Sequence, residues 1–241
     1  MNDILGSVLV VELPGTIFIS LFTLIFLGKY YNDSYRIKGN ILKILVKITL
    51  PIALIWGIIS HTNDMNPFIK LFIGITLFTI IIYLNNQDRN IKDICFCVLT
   101  SVSILLILRL IGLIIAVYIL RQDVLSSTSC SGLNGYLLMP ERIMEFGILY
   151  IVYLSHNTDK TYNLVNTLKN NSHLRNTIKV IIIINIIIST VVLKYFIYGK
   201  QMLFISRDTQ FMVISGMLIL MIVNISFPWM ILSSIGKQQQ E

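Results

Sequence analysis

Five charged side chains occur inside apolar stretches that are long enough to cross a membrane. They are Glu12, Arg109, Glu141, Arg142 and Glu145. A charge in hydrocarbon is costly, so such residues usually face a bundle interior or a wet cavity and pair with one another. Two arginines and three glutamates on three separate segments therefore predict a polar, ligand-binding pocket within a bilayer.

These charges fall at similar depths in their segments. At a helical rise of about 1.5 Å per residue, Glu12 lies ~12 Å and Arg109 ~16 Å below the outer ends of their own segments. By the same rise, Glu141, Arg142 and Glu145 lie ~12–18 Å deep. A shared layer predicts that Arg109 lies close to at least one of the three glutamates, in a pocket that opens to the outside.

The same charges allow three interpretations. They could be interhelical ion pairs that only fix packing, contacts for a ligand, or a relay for protons or ions. Glu141 and Glu145 are four residues apart and share a helix face, whereas Arg142 points roughly 100° away from Glu141. The spacing therefore leaves open whether Arg142 pairs with Glu12 or turns toward water.

The composition favours a membrane location. The chain has 241 residues, of which 55% are hydrophobic and 13% charged, and its mean hydropathy is +0.78. Soluble domains carry about 25% charged residues. The apolar runs are continuous rather than alternating, which favours helices over a barrel as the way to satisfy backbone groups in lipid. We expect an all-α, polytopic membrane bundle that forms a single transmembrane domain over residues 1–241.

Seven runs approach the ~20 apolar residues that one membrane crossing needs. They cover residues 4–28, 41–59, 67–84, 91–120, 133–154, 177–198 and 211–235. The fifth run is the weakest by hydropathy, because it carries three of the five charges. We expect about seven transmembrane helices, or six if the fifth run is re-entrant.

The distribution of Lys and Arg predicts the orientation, because cytoplasmic loops are enriched in these residues. One predicted side carries twelve of them: Lys29, Arg36, Lys38, Lys43, Lys47, Arg89, Lys92, Lys160, Lys169, Arg175, Lys179 and Lys237. The other side carries five: Lys70, Arg121, Lys194, Lys200 and Arg207. We therefore expect a cell-membrane protein whose N-terminus is outside and whose C-terminus is cytoplasmic.

The remaining residues argue against several other classes of protein. The net charge is +7, but the basic residues lie between apolar runs, which indicates topology and contact with anionic lipid rather than nucleic-acid binding. The cysteines and histidines do not cluster at metal-ligand spacing, so no metal or cofactor is predicted. In the predicted topology His61 lies outside, whereas Cys95 and Cys97 lie near the inner interface. We therefore assign no catalytic residues and do not expect an enzyme.

Three short stretches carry a resemblance to a known family. They are VELPGTIF at residues 11–18, LIFLGK at 24–29 and PERIMEF at 140–146. With six or seven spans and a cytoplasmic C-terminus, this layout resembles the multi-span input regions of accessory-gene-regulator (AgrC-like) histidine kinases. Such kinases continue into a dimerisation helix and an ATP-binding domain. The resemblance therefore implies a sensor region without its kinase domain.

Three functions fit these observations. The first is a receptor-like or accessory membrane protein that binds a small ligand or peptide from the outer side, with the arginines attracting an anionic group. The second is a transporter component, either a permease or a substrate-capture subunit that works with a separate ATPase. The third is a membrane immunity or chaperone-like protein that holds a stable protein partner.

Overall fold

Every element that the structure describes is helical. The structure is a computed structural model that describes residues 13–31, 45–60, 66–115, 139–154, 168, 170–192 and 207–238. The α-helices there are α1 (Leu13–Tyr31), α2 (Leu50–Ser60), α3 (Pro67–Asn85), α4 (Ile91–Ile114), α5 (Met139–Leu154), α6 (Ser172–Val191) and α7 (Arg207–Gln238). No strand occurs among these residues. The all-α prediction is therefore confirmed for the described part of the chain.

Three of these helices are long and apolar enough to cross a membrane. The apolar stretches are Phe68–Asn85 in α3, Ile91–Gly112 in α4 and Ser172–Val191 in α6. They overlap the third, fourth and sixth predicted spans. Shorter apolar stretches lie in α1, in α7, and across the start of α2. The described helices are thus consistent with a membrane protein, and the count of seven spans stays a prediction.

Asparagine side chains define where the three long apolar helices begin. The Oδ1 atoms of Asn66 and Asn90 accept hydrogen bonds of 3.0 Å from the backbone N–H groups two residues further on. Asn171 accepts a 3.1 Å bond from Leu174 N. A side-chain cap satisfies one of the N–H groups that lack a partner in the first turn. Pro67 directly follows the first cap as the first helical residue, a position that suits its fixed φ angle and missing N–H.

A short π-helix directly precedes α2, which has a proline in its first turn. The π-helix is Leu45–Thr49, and Pro51 is the second residue of α2. Proline lacks an N–H, and in an α-helix its ring clashes with the carbonyl four residues earlier, here that of Lys47. The wider π-turn relieves this clash, so the chain passes into α2 without a break.

Helix α4 lies at the centre of the described bundle. It packs against α1, α3, α5, α6 and α7, and it is the most buried of the three long apolar helices. Small buried side chains at Cys97, Ser101 and Ser103 let neighbouring helices approach closely. The hydroxyl groups of Thr23 on α1 and Ser101 share a 2.7 Å hydrogen bond. This central helix carries Arg109 near its C-terminal end.

Helices α6 and α7 are joined by a buried amide cluster. Asn185 is fully buried, and its Nδ2 donates to the carbonyl oxygen of Met221 at 3.5 Å. Asn224 Nδ2 in turn donates to Asn185 Oδ1 at 3.2 Å. Polar side chains of this kind hold helices together in apolar surroundings, where burial of hydrocarbon adds little.

The outer surface of the described helices is strongly apolar. Large side chains such as Ile58, Phe72, Ile143 and Met212 are more than two-thirds exposed. Soluble monomers seldom expose extended apolar patches. A lipid environment would cover these side chains, so the surface agrees with the hydropathy of the helices.

Candidate functional site

The buried charges of α4 and α5 meet where these two helices pack together. Arg109 Nε on α4 lies 3.1 Å from Glu141 Oε1 in the first turn of α5 and donates a hydrogen bond to it. The prediction that Arg109 is close to one of the glutamates is confirmed, and the partner is Glu141. The pair joins two helices through residues that are 32 positions apart in sequence.

Arg142 pairs with a glutamate of its own helix rather than turning toward water. Its Nη1 atom donates to both carboxylate oxygens of Glu145, at 2.6 and 2.7 Å. The same nitrogen is 3.5 Å from Glu141 Oε1. Arg109, Glu141, Arg142 and Glu145 therefore form one continuous ionic network, which we call the charge layer. Its two positive and two negative charges balance.

The four side chains of the charge layer differ in exposure. The side chains of Glu141 and Glu145 are 4% and 1% exposed, and that of Arg142 is 11% exposed. Arg109 is 29% exposed. Removing one partner of a buried ion pair leaves an uncompensated charge and is strongly destabilising. The glutamates and Arg142 thus form the buried base of the site, and Arg109 is its most accessible charge.

A glycine allows α4 and α5 to come close enough for this network to form. A Cβ atom placed on Gly112 would lie 2.8 Å from Glu141 Cβ and 3.1 Å from Glu141 Cα. Both distances are shorter than ordinary packing permits. Gly112 therefore lets the backbone of Glu141 approach α4 one turn beyond Arg109.

Arg109 also borders a small cavity beside this contact. The cavity has a volume of about 70 Å³ and lies between α1, α2, α3 and α4. Its walls are formed by Gly15, Thr16, Ile19, Trp56, Leu71, Gly74, Ile75, Phe78, Val102, Leu105, Leu106 and Arg109. A volume of ~30 Å³ per water leaves room for about two waters or one carboxylate-sized group. Arg109 is the charged residue among these otherwise uncharged walls.

Two further glycines shape the cavity. A Cβ atom on Gly15 would lie 3.6 Å from Leu105 Cδ2 and 4.0 Å from Arg109 Nη2, so α1 passes directly beside the guanidinium group. On α3, a Cβ atom on Gly74 would collide with the ring of Trp56. Trp56 therefore fills the space that Gly74 leaves, and its ring closes one wall of the cavity.

Four of the five residues predicted for the site lie in the described part of the chain, and all four come together. Glu12 lies outside the described residues. Three features were not predicted from the sequence: Gly112 at the contact between α4 and α5, Gly15 beside Arg109, and the cavity that Gly15 lines. A glycine three residues after a buried arginine was a usable signal for Gly112, because small residues mark close helix contacts in membranes. The three-residue spacing of Arg142 and Glu145 was a signal for their pairing.

Comparisons with protein-family models, with curated proteins and with solved structures find no match for this chain. Among the described residues, no group of three or more His, Cys, Asp or Glu side chains could hold a metal ion. The charge layer itself offers guanidinium and carboxylate groups. A guanidinium group beside a small cavity can bind a carboxylate or another planar anion through paired hydrogen bonds.

Proposed function

We propose that this chain is a receptor-like or accessory multi-pass membrane protein that binds a small ligand or peptide from the outer side. The observation that carries the proposal is Arg109, which pairs with Glu141 and also borders a cavity. A guanidinium group has five N–H donors, so Arg109 can bind a further anion while it keeps its bond to Glu141. The resemblance to the input regions of AgrC-like kinases supports the same type of function.

The ligand feature that fits this site best is a carboxylate group. Arg109 supplies the positive charge, and the surrounding apolar walls would strengthen any ion pair formed there. Glu141 holds Arg109 in place, while Arg142 and Glu145 neutralise each other. A free amino acid or the C-terminus of a peptide carries such a group.

A stability screen in lipid nanodiscs tests this function. We expect free amino acids or short peptides with a free C-terminal carboxylate to raise the melting temperature of the wild-type protein. At a ligand concentration 100 times Kd, the stabilisation would be about 2.7 kcal/mol. The same peptides with an amidated C-terminus should have a much smaller effect, because the amide carries no charge.

The matched control is the double variant Arg109→Gln/Glu141→Gln, which removes both charges of one pair and leaves no buried charge without its partner. We expect this variant to fold and to lose the response to carboxylates. Equal responses of wild type and variant would contradict a role of Arg109 in binding. An ATPase that copurifies from native membranes would instead support the transporter component, and a stable non-ATPase protein partner would support the immunity or chaperone-like alternative.

The proposed orientation has a test of its own. With the N-terminus outside and seven spans, reporter fusions at Lys38, Lys169 and Glu241 should all report a cytoplasmic location. The expectation follows from the twelve-to-five distribution of Lys and Arg. As an independent check, a membrane-impermeant maleimide should label Cys130 on intact cells. An extracytoplasmic signal at Glu241 would rule out the odd number of spans.

A further inference from the structure

A second candidate binding site lies on the exterior of the helical bundle, between α3 and α6. Both helices pack against α4, and a groove with a volume of about 860 Å³ remains between them. We call it the α3–α6 groove. Ligand pockets typically measure about 300–1,000 Å³. The groove is therefore large enough for a substantial ligand, unlike the 70 Å³ cavity beside Arg109.

The body of the groove is apolar. Phe72 and Ile80 on α3 face Ile183 and Ile187 on α6, and all four side chains are exposed. The groove also contains two threonines of α3, but their hydroxyl groups donate 2.8 Å hydrogen bonds to carbonyl oxygens of their own helix. The groove therefore offers hydrocarbon contact along its length.

Two lysines give the groove a charged end. Lys92 is the second residue of α4, and Lys179 is the eighth residue of α6, ~10 Å along that helix. Both line the groove. The Nζ atom of Lys179 lies 5.9 Å from the ring centroid of Phe96, which also lines the groove, so this amino group lies at the groove wall.

The acidic residue at this end of α4 is engaged elsewhere. Asp93 Oδ1 is 3.8 Å from Arg175 Nη1, which lies one turn before Lys179 on α6. Lys92, Asp93, Arg175 and Lys179 together carry a net charge of +2, and the neighbouring pair of Asp88 and Arg89 adds no net charge. An occupant that matches the groove has a negative head group and a long hydrocarbon tail.

We propose that the α3–α6 groove binds one anionic phospholipid of the bilayer. Its acyl chain would lie between α3 and α6, and its phosphate would lie between Lys92 and Lys179. Lysine is a common partner of phosphate and acts as a point charge. A long lysine stem can also follow apolar surface while its amino group reaches the head-group level. The inference depends on membrane insertion but not on the ligand site at Arg109.

Native mass spectrometry of the full chain, purified in detergent, tests the proposal. Phosphatidylglycerol and phosphatidylcholine with identical acyl chains would be added in equal amounts. We expect phosphatidylglycerol to bind more tightly. Each lysine near a membrane surface contributes about 1 kcal/mol to the binding of an anionic lipid. The double variant Lys92→Gln/Lys179→Gln should therefore weaken the binding of phosphatidylglycerol roughly 30-fold, and each single variant should weaken it roughly fivefold. Binding of phosphatidylcholine should change little.

Two further variants separate the charge from the groove. Lys47→Gln removes an exposed lysine that does not line the groove, so it should keep the lipid preference. Ile187→Trp fills the groove without changing its charge, so it should weaken the binding of both lipids. Added glycerol phosphate should not compete, because it lacks the acyl chains. Circular dichroism and melting temperature would establish that each variant is folded.

Three results would overturn the proposal. One is equal affinity of the wild type for the two lipids. Another is retention of the lipid preference in the double lysine variant. The last is a lipid-independent dimer that Ile187→Trp separates into monomers, which would make the groove a contact between two copies of the chain. The response to carboxylates at Arg109 should persist in the double lysine variant, so failure of one site is distinguishable from failure of the other.

Discussion

Replacing Arg109 with alanine is expected to lower the free energy of unfolding by about 3–5 kcal/mol. In this variant the side chain of Glu141 stays buried, since it is only 4% exposed. Its nearest remaining ion-pair partner is Arg142, at 3.5 Å. A buried carboxylate that loses its closest cation must either keep an uncompensated charge or take up a proton. Reversible unfolding in mixed detergent micelles measures the difference.

A double-mutant cycle identifies the partner of Arg109. Glu141→Ala should recover part of the loss in an Arg109→Ala background, with a coupling energy of about 0.5–3 kcal/mol. The coupling of Arg109 to Glu145 should be smaller, because the carboxylate of Glu145 contacts Arg142 at 2.6 and 2.7 Å. Equal coupling to both glutamates would contradict the geometry of the charge layer.

The control for these variants is an ion pair on the same chain whose carboxylate is exposed. Asp88 lies 2.8 Å from Arg89 in the connection between α3 and α4, and its side chain is 67% exposed. Surface pairs contribute roughly 0–1 kcal/mol. Asp88→Ala should therefore have little effect on unfolding. If Arg109→Ala proved equally mild, Arg109 and Glu141 would be solvated at a water-filled edge, and no buried site would exist there.

Gly112→Ala is expected to destabilise the protein by about 1–3 kcal/mol, the usual effect of forcing extra atoms into a packed contact. The added methyl group would meet the Cβ, Cα and N atoms of Glu141, at 2.8, 3.1 and 3.2 Å. Because two of these are backbone atoms, α5 must move away from α4 to relieve the contact. That movement lengthens the bond between Arg109 and Glu141, so the effects of Gly112→Ala and Arg109→Ala should be less than additive.

Two other glycines provide the control for this substitution. Gly147 on α5 and Gly216 on α7 have open space around the position where a Cβ atom would be added. Alanine is favoured over glycine in a helix by about 1 kcal/mol, so Gly147→Ala and Gly216→Ala should be neutral or slightly stabilising. If all three variants had the same stability, the close approach of α4 and α5 at Gly112 would be disproved.

Several parts of this architecture follow from the sequence alone. The three long apolar helices overlap predicted spans, because hydropathy and length are local properties of the chain. Pro67 as a first helical residue depends only on its fixed φ angle and missing N–H. The meeting of Arg109 with a glutamate follows from segment ends and helical rise, which together give the depth of each charge.

The partners within the charge layer were decided by the tertiary structure. Depth along a helix is set by counting residues, but rotation about the helix axis is set by side-chain packing against the neighbours. That rotation directs Arg109 to Glu141 rather than to Glu145. It also buries the side chain of Arg142, whose closest hydrogen-bond acceptor is Glu145.

The α3–α6 groove and the cavity beside Arg109 also depend on packing. Each is a space left where three or more helices pack together, so no local pattern predicts its volume or its walls. The sequence by itself determined which of the described segments are helical, because hydropathy and length depend on neighbours along the chain. The tertiary structure alone decided which charges pair and where space remains, because these depend on how the helices rotate and tilt against one another.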